Sequence, residues 1–583
     1  MAADSEKEVM PTEANQKEKE AVSLRDSPQE QQHIAPNPVI EKLIAEEYTA
    51  KPASTKQPDS ENVTIVNDDE TPQPSSEEGD VEKQRLPSRE GDEINDPNIV
   101  SWDGDDDPAN PYNWKSWRKV VNCILISALS FLTPLAMFAP GVTDLMKEFQ
   151  MTSRSLGSFV VSVYVLGFAA GPMIFAPLSE IYGRGVVYHS TNLCFLAFTI
   201  ACAVAPTFSS LVGFRFLAGL FGSVPLTNGG GSIADMIHQE KRGAAMSAFA
   251  VGPLLGPIIG PVVGGYVSEA LGWRWVFWIL SCLSGFITIT FFVFSAETYA
   301  PVLLERKTKK LRKETGNMNL RSKLDEGLLP KDYFVRGIVR PFKMLFFSPI
   351  CIIAALYVAL GYGYLYLMFS SLSPLIQQIY HFGTGAAGLA FLGFGVGSMI
   401  GVIFFARLSD IYIKKKAKEE AELAQAEGRE PAGLKPEYRL PPLRFGALLL
   451  PIGLFIYGWT AYYKVHWIAP IIGTAVMGAG NLMIFMASFT PKLAFINQKL
   501  TSFQMYLVDT FAQYSASALA SNSVVRSILG AVLPLAAFPM YDKLGLGWGN
   551  SLLGFIAAAL IPVPWLVLKY GEYLRKRFEI KNL

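Results

Sequence analysis

Twelve long apolar runs follow residue 118, and they constrain this chain more than any other feature. A helix needs about 20 mostly apolar residues to cross the hydrocarbon core of a bilayer. Runs of that order lie near 119–140, 156–178, 187–206, 209–231, 244–267, 274–295, 348–370, 386–408, 444–462, 467–489, 516–540 and 549–569. Several contain Gly and Pro, which membrane helices tolerate better than soluble ones. In lipid only helices and closed barrels satisfy the backbone, and these runs lack the alternation of barrel strands. The expected fold is an all-α integral membrane protein with twelve transmembrane helices.

The remaining segments divide the chain. Residues 1–100 are rich in Glu, Lys, Gln, Pro, Ser and Asp, and cannot bury enough apolar surface to offset their ordering entropy. They are expected to form a disordered hydrophilic tail. Their start has no apolar segment behind a basic one, so no cleaved signal peptide is expected. A six-helix bundle over 101–296, a basic linker over 297–347, a second bundle over 348–570 and a short tail over 571–583 follow. Basic residues set the orientation. Arg306, Lys307, Lys309, Lys310, Arg312, Lys313, Arg321 and Lys323 precede span seven. Lys414, Lys415, Lys416, Lys418, Arg429, Lys435 and Arg439 precede span nine, and Arg575, Lys576 and Arg577 follow span twelve. All fall on one side, expected to be cytosolic together with both termini.

Composition excludes several function classes. The 51 Lys and Arg balance the 51 Asp and Glu, and no basic stripe with interleaved aromatics points to nucleic acid. The five cysteines sit inside apolar runs without metal-ligand spacing and read as buried thiols. No G-x-x-x-x-G-K-[ST] string for a nucleotide is present. The five histidines form no intramembrane cluster, so no catalytic residue, metal or cofactor is expected.

An internal repeat marks the two halves. Leu178-Ser179-Glu180-Ile181-Tyr182, followed by Gly183 and Arg184, lies between spans two and three. Leu408-Ser409-Asp410-Ile411-Tyr412 lies between spans eight and nine. Two six-span repeats about an axis along the membrane normal, giving pseudo-symmetric bundles, are a transporter architecture. Span five reads Gly256-Pro257-Ile258-Ile259-Gly260-Pro261-Val262-Val263-Gly264-Gly265. Glycines four apart give a smooth face for close helix approach, and the prolines bend the helix. Arg215, in Phe214-Arg215-Phe216, is a charge inside span four, where charges normally face the bundle interior or a water-filled cavity. Snorkelling to the outer interface is its alternative.

These segments resemble the major facilitator superfamily and, more narrowly, its fungal drug:proton antiporters with twelve spans. The resemblance covers about 100–583. Ala176–Gly185 is similar to that family's gate loop G-x-L-a-D-r-x-G-r-k, with departures at Ala176, Ile181 and Gly185. It implies a gate formed by Glu180, Gly183 and Arg184, mirrored by Asp410. Arg215 matches the span-four arginine linked in the family to proton coupling. Gly256, Gly260, Pro261, Gly264 and Gly265 match the antiporter motif g-x-x-x-G-P-x-x-G-G at every defined position. Trp102-Asp103-Gly104, Asn110–Trp114, Glu297–Pro301, Leu311–Asn317 and Pro436–Pro442 are strings typical of the fungal group. Residues 490–502 interrupt the family's pattern before Tyr506-Leu507-Val508-Asp509. They read either as an added loop or as a retained intron, and the reading of Asp509 depends on which.

In such a fold spans one, four, seven and ten line a central cavity, with substrate sites near the midplane. Polar or aromatic candidates there are Asn122, Phe138, Thr227, Asn228, Tyr357, Tyr362, Tyr364, Tyr366, Phe369, Asn481 and Phe485. The alternative is that these residues simply pack or sit at the interface. No carboxylate lies deep in those spans, so proton coupling is implied by the resemblance alone, with Arg215, Asp235 and Asp509 as candidates. The expected function is proton-driven export of amphipathic small molecules such as drugs, fungicides, toxins or secondary metabolites, by a monomer in the plasma membrane. A dedicated polyamine or organic-acid carrier and a transport-inactive sensor are the alternatives.

Overall fold

The computed structural model describes residues 98–134, 138–325, 327, 329–429, 443–485 and 515–577. Among these, nine helices are long and apolar enough to cross a membrane. One of them, Ala520–Gly571, covers two passes, because the helix Ser515–Ala559 breaks at Gly545 (φ 70°, ψ 169°). With the shorter apolar helices Ser116–Leu132 and Ile468–Phe485, the total is twelve. Spans one to six are Ser116–Leu132, Arg154–Ile181, Arg184–Ala203, Phe208–Met236, Gln239–Leu271 and Trp273–Phe294. Spans seven to ten are Pro349–Tyr380, Thr384–Glu427, Leu443–Tyr462 and Ile468–Phe485, and the two arms of Ser515–Ala559 are spans eleven and twelve. The tail before residue 98, Asp509 and the segment 490–502 lie outside the described residues.

Each half has its own apolar core. Leu129, Val160, Phe195, Leu211, Trp273 and Phe277 centre the first. Tyr364, Phe369, Phe391, Phe405, Leu454 and Tyr457 centre the second, which Ala139 and Val165 of the first half also join. The halves meet where span two packs against span eleven and span five against span eight.

Several boundaries differ from the hydropathy reading, span seven among them, which runs to Tyr380. Span one ends at Leu132 because Pro134 supplies no N–H to continue the helix and clashes with the preceding turn. Phe138 therefore sits in the following turn, before the short helix Val142–Glu148. Span eight continues past residue 408 to Glu427 as a charged helix. Lys418–Glu422 one turn apart (3.7 Å) and Glu420–Arg429 (2.9 Å) support this extension. The last helix, Val563–Arg577, runs across the boundary placed at residue 570.

On the face carrying the basic segments, called the basic face below, the linker is structured. It forms helices Ala300–Thr315 and Pro330–Phe347 and a short strand, Arg321–Ser322. That strand pairs in parallel with Ile99–Val100, ahead of span one. Lys307 donates to the Ser101 carbonyl (2.9 Å) and to Asp103 Oδ1 (2.6 Å), and lies 3.7 Å from Asp107 Oδ2. Asn317 donates to Asn98 Oδ1 (3.1 Å). The strings before span one and after span six thus form a single clasp.

Candidate functional site: the seam between the two bundles

The loop between spans two and three is built around Gly183. Its φ of 100° is a conformation that side-chain-bearing residues avoid, and a Cβ there would meet Glu297 Oε2 at 2.2 Å. Span three starts at Arg184, so its first N–H groups have no helical acceptor. Glu297 supplies one: it accepts from the N–H of Arg184 (2.9 Å) and of Gly185 (3.2 Å). The same carboxylate accepts from the N–H of Thr298 (3.0 Å) and Tyr299 (3.1 Å), with Arg306 at 3.8 Å. A negative charge at a helix N-terminus is favoured by the helix dipole. Glu297 therefore staples the end of span six to the start of span three.

Arg184 completes this network. Its Nε lies 3.4 Å from Asp235 Oδ2 in span four, Nη1 donates to Ser179 Oγ (2.5 Å), and the guanidinium covers the Tyr299 ring at 4.8 Å. Asp235, expected as a proton-coupling candidate, is thus brought into the gate loop. Glu180, expected beside Arg184 as the gate's core acid, is half-buried at the end of span two. The acid holding the loop backbone is Glu297, which the sequence marked only as part of a string. Its partners in that loop, Arg184 and Gly185, lie more than a hundred residues earlier, so no local pattern could reveal them. Asp410 lies on the helix of span eight; its side chain is outside the described residues.

Deeper in the bundle, Arg215 is 8% exposed and faces inward. Its guanidinium lies 4.6 Å from the Tyr164 ring centre, 5.7 Å from Phe277 and 5.8 Å from Phe138, and Nε donates to the Val160 carbonyl (3.3 Å). Tyr164 donates to the Thr133 carbonyl (2.7 Å). The side chain is thus buried among aromatic rings of the first bundle. Across the seam, Tyr362 and Tyr366 lie one turn apart on span seven with ring centres 5.0 Å apart. The Arg526 guanidinium of span eleven covers Tyr362 at 5.2 Å. A Cβ on Gly530 would meet Tyr362 at 2.9 Å and Val165 of span two at 3.4 Å, which shows how closely the three spans converge. Arg526 was missed in the sequence, although a lone arginine within an apolar run was signal enough.

The other candidates separate by their partners. Asn122 donates to the Arg118 carbonyl (2.8 Å) and accepts from the Ala296 N–H (3.3 Å), pinning span one to the end of span six. Phe138 packs against Trp273 and Phe277. Tyr364 donates to the Leu553 carbonyl (3.0 Å), and Phe369 packs against Phe391 and Phe394. All four have partners within the bundles. Thr227 donates to the Ser223 carbonyl (3.0 Å) within its own helix. Asn228, Tyr357 and Asn481 are buried, and the Phe485 side chain lies outside the described residues. Asn481 Oδ1 occupies the space a Cβ on Gly361 would need, at 2.7 Å.

On the opposite face the seam is shut. Gly256, Gly260, Pro261, Gly264 and Gly265 are all buried, while Ile259, Val263 and Tyr266 on the same helix are exposed. A Cβ on Gly265 would meet the Thr384 carbonyl at 2.8 Å, and one on Gly388 the Pro261 carbonyl at 2.5 Å. Glu269, one turn beyond Gly265, accepts the Gly385 N–H at 2.7 Å. Arg154 of span two lies 4.0 Å from Asp542 near the end of span eleven. Beside that pair a cavity of about 350 Å³ is lined from both halves, by Met146, Lys147, Gln150 and Arg154 and by Gln378 and Phe538.

Two six-helix bundles that meet along a seam closed through glycine backbone are the architecture of a membrane transporter. The Major Facilitator Superfamily model matches residues 124–534, and the chain belongs to that family. It is 54% identical over 489 residues to the MFS-type transporter tndD of Aspergillus flavipes, covering 83% of this chain and 87% of that protein. It is 45% identical over 493 residues to the efflux pump radE of Floropilus chiversii, covering 84% and 87%. Among solved structures it resembles the xylose transporter XylE from E. coli, with a TM-score of 0.53 and 16% identity over 76% of this chain and 97% of that one. At that identity the likeness speaks for the fold alone.

Proposed function

We propose that this protein is a proton-coupled antiporter that exports amphipathic small molecules from the cytosol. The packing of span five on span eight carries this reading. Gly265 and Gly388 let two helices of opposite halves touch backbone to backbone, and Glu269 caps the arriving helix. Small-residue faces allow this approach without side chains to displace, so the closure can form and part as a unit. The name of radE as an efflux pump is consistent with outward transport. The basic face is cytosolic, both termini lie there, and the membrane is the plasma membrane. The network of Glu297, Arg184 and Asp235, wholly within the first half, keeps the basic end of that bundle together while the other face opens. Inward movement of protons bound and released at Asp235, with Arg215 as a fixed positive charge in the same span, supplies the driving force. Tyr362, Tyr366 and Asn228 face the cargo, and a monomer suffices.

The test is efflux of a panel of dyes, azoles, polyamines and organic acids from yeast lacking its own exporters, with and without a protonophore. Efflux abolished by the protonophore and by Arg215→Ala at matched surface expression supports antiport. Efflux that persists with the protonophore rules out proton coupling, and uptake in place of efflux overturns the direction.

A further inference from the structure

The linker helix Pro330–Phe347 carries Lys331, Asp332, Arg336, Arg340 and Lys343 among its 18 residues, too many charges to cross a bilayer. Yet Val335, Val339, Phe342 and Phe346 are all exposed, Phe346 by 70%. At about 100° per residue these four stand on one side of the helix. Gly337, Pro341 and Met344 stand on the opposite side, which is packed. Pro341 and Met344 are buried, and a Cβ on Gly337 would meet Pro177 Cγ of span two at 2.3 Å. Arg336, Arg340 and Lys343 lie on a flank between the two sides.

The position of the helix fixes what meets its exposed stripe. Pro177 lies four residues, about 6 Å along the axis, before the end of span two at Ile181. Phe347, the last residue of the helix, precedes Ser348, whose side chain caps span seven and whose backbone (φ −109°, ψ 106°) breaks the axis. The middle and the end of the helix are therefore both held where spans enter the membrane, and its axis runs along that boundary. Besides span two, it packs on span seven and on the helix of spans eleven and twelve, bridging the halves on the basic face. An apolar stripe, a basic flank and an axis along the boundary are the features of a helix that lies in the membrane interface.

We infer that Pro330–Phe347 binds anionic phospholipid of the basic-face leaflet. Val335, Val339, Phe342 and Phe346 enter the edge of the acyl region, and Arg336 and Lys343 hold the headgroup. Guanidinium and ammonium groups donate charge-assisted hydrogen bonds to its phosphate and carboxylate oxygens. Each such cation near an anionic surface strengthens the attraction severalfold. Neither the cargo nor the direction of transport enters this assignment.

The experiment uses the full chain, without its native cysteines and with bimane on Val339→Cys, in phosphatidylcholine nanodiscs. Lipid with a nitroxide on its acyl chain is added at low mole fraction, as phosphatidylserine or as phosphatidylcholine. Both are expected to quench the bimane, phosphatidylserine at about fivefold lower mole fraction, the scale of one cation near the surface. Arg336→Gln with Lys343→Gln removes the difference and leaves quenching by phosphatidylcholine in place. Bimane on Ile289→Cys, exposed on span six, is the reference and is quenched by both lipids alike. Quenching by soluble iodide and by neither lipid means that the stripe faces water, and overturns the inference. Shielding from iodide and from both lipids means that another part of the chain covers the stripe, and overturns it too. Equal quenching by the two lipids, or a preference unchanged in the double variant, overturns the assignment of Arg336 and Lys343 to an anionic headgroup.

Discussion

The Glu297 carboxylate accepts the backbone N–H of Arg184 at 2.9 Å, joining two residues 113 positions apart at the basic end of the first bundle. Because the bond runs to backbone, the acid fixes where span three begins rather than merely balancing a charge. Glu297→Ala leaves four amide N–H groups without this acceptor. It is expected to lower stability by about 1–3 kcal/mol, the cost of unmet buried donors, and to abolish transport. Glu297→Gln keeps one accepting oxygen and should fall between. Thermal unfolding in detergent, with transport on the same preparations, checks the order.

Gly183→Ala tests the same joint from the other side. The substituted residue must adopt φ near 100° and place a Cβ on Glu297 Oε2. Strain of about 1–3 kcal/mol is expected from such a conformation, so Gly183→Ala should be less stable than a neighbouring change such as Val186→Ala, which is exposed. Equal melting temperatures would refute the geometry.

Gly388→Val should bias the transporter against closure at the opposite face. Its side chain would enter the space of the Pro261 carbonyl, 2.5 Å from the Cβ position. Thiol labelling of Ser268→Cys from outside, in a background lacking native cysteines, should rise severalfold on adding Gly388→Val, while Glu269→Gln raises it less because only one contact is weakened. Unchanged labelling in Gly388→Val would show that the five–eight contact does not govern access.

The clasp carries a pH signature. Backbone N–H groups of Asp103 and Ala109, followed by Lys307, hold the Asp107 carboxyl below its ordinary value of 3.8. A depressed value means that the contribution is complete above about pH 4 and fades as pH falls further. Hydrogen exchange at Arg321 and Lys323, whose amides bond to Asn98 and Val100, should therefore be equally protected by the clasp from pH 7 to pH 5 after correction for intrinsic rates. Asp107→Asn should reduce that protection across the whole range, and a protection that titrated near pH 6 would contradict the assignment.

The spans were legible because their burial demand is written continuously along the chain; span five showed its packing face as well, since glycines four apart need no partner to be recognised. What the sequence did not show were distant partners. Asn122 is polar within a span, and its acceptor bond to the Ala296 N–H spans 174 residues. Span eight outran its hydropathy because its extension is held by charge pairs rather than by lipid. Arg526 was passed over although it, like Arg215, is a lone arginine within an apolar run. Its neighbour Tyr362 lies on a span whose proximity the sequence does not state.

The clasp has a consequence for biogenesis. It ties the residues before span one to those just after span six, and the last residue it needs is close to Lys323. The Glu297 staple, the Arg184–Asp235 pair and the first apolar core lie wholly before that point. Every contact that closes the first bundle on itself has therefore been synthesised before span seven leaves the ribosome. The first half can be finished as a ring in the membrane, ready as a template when the second arrives.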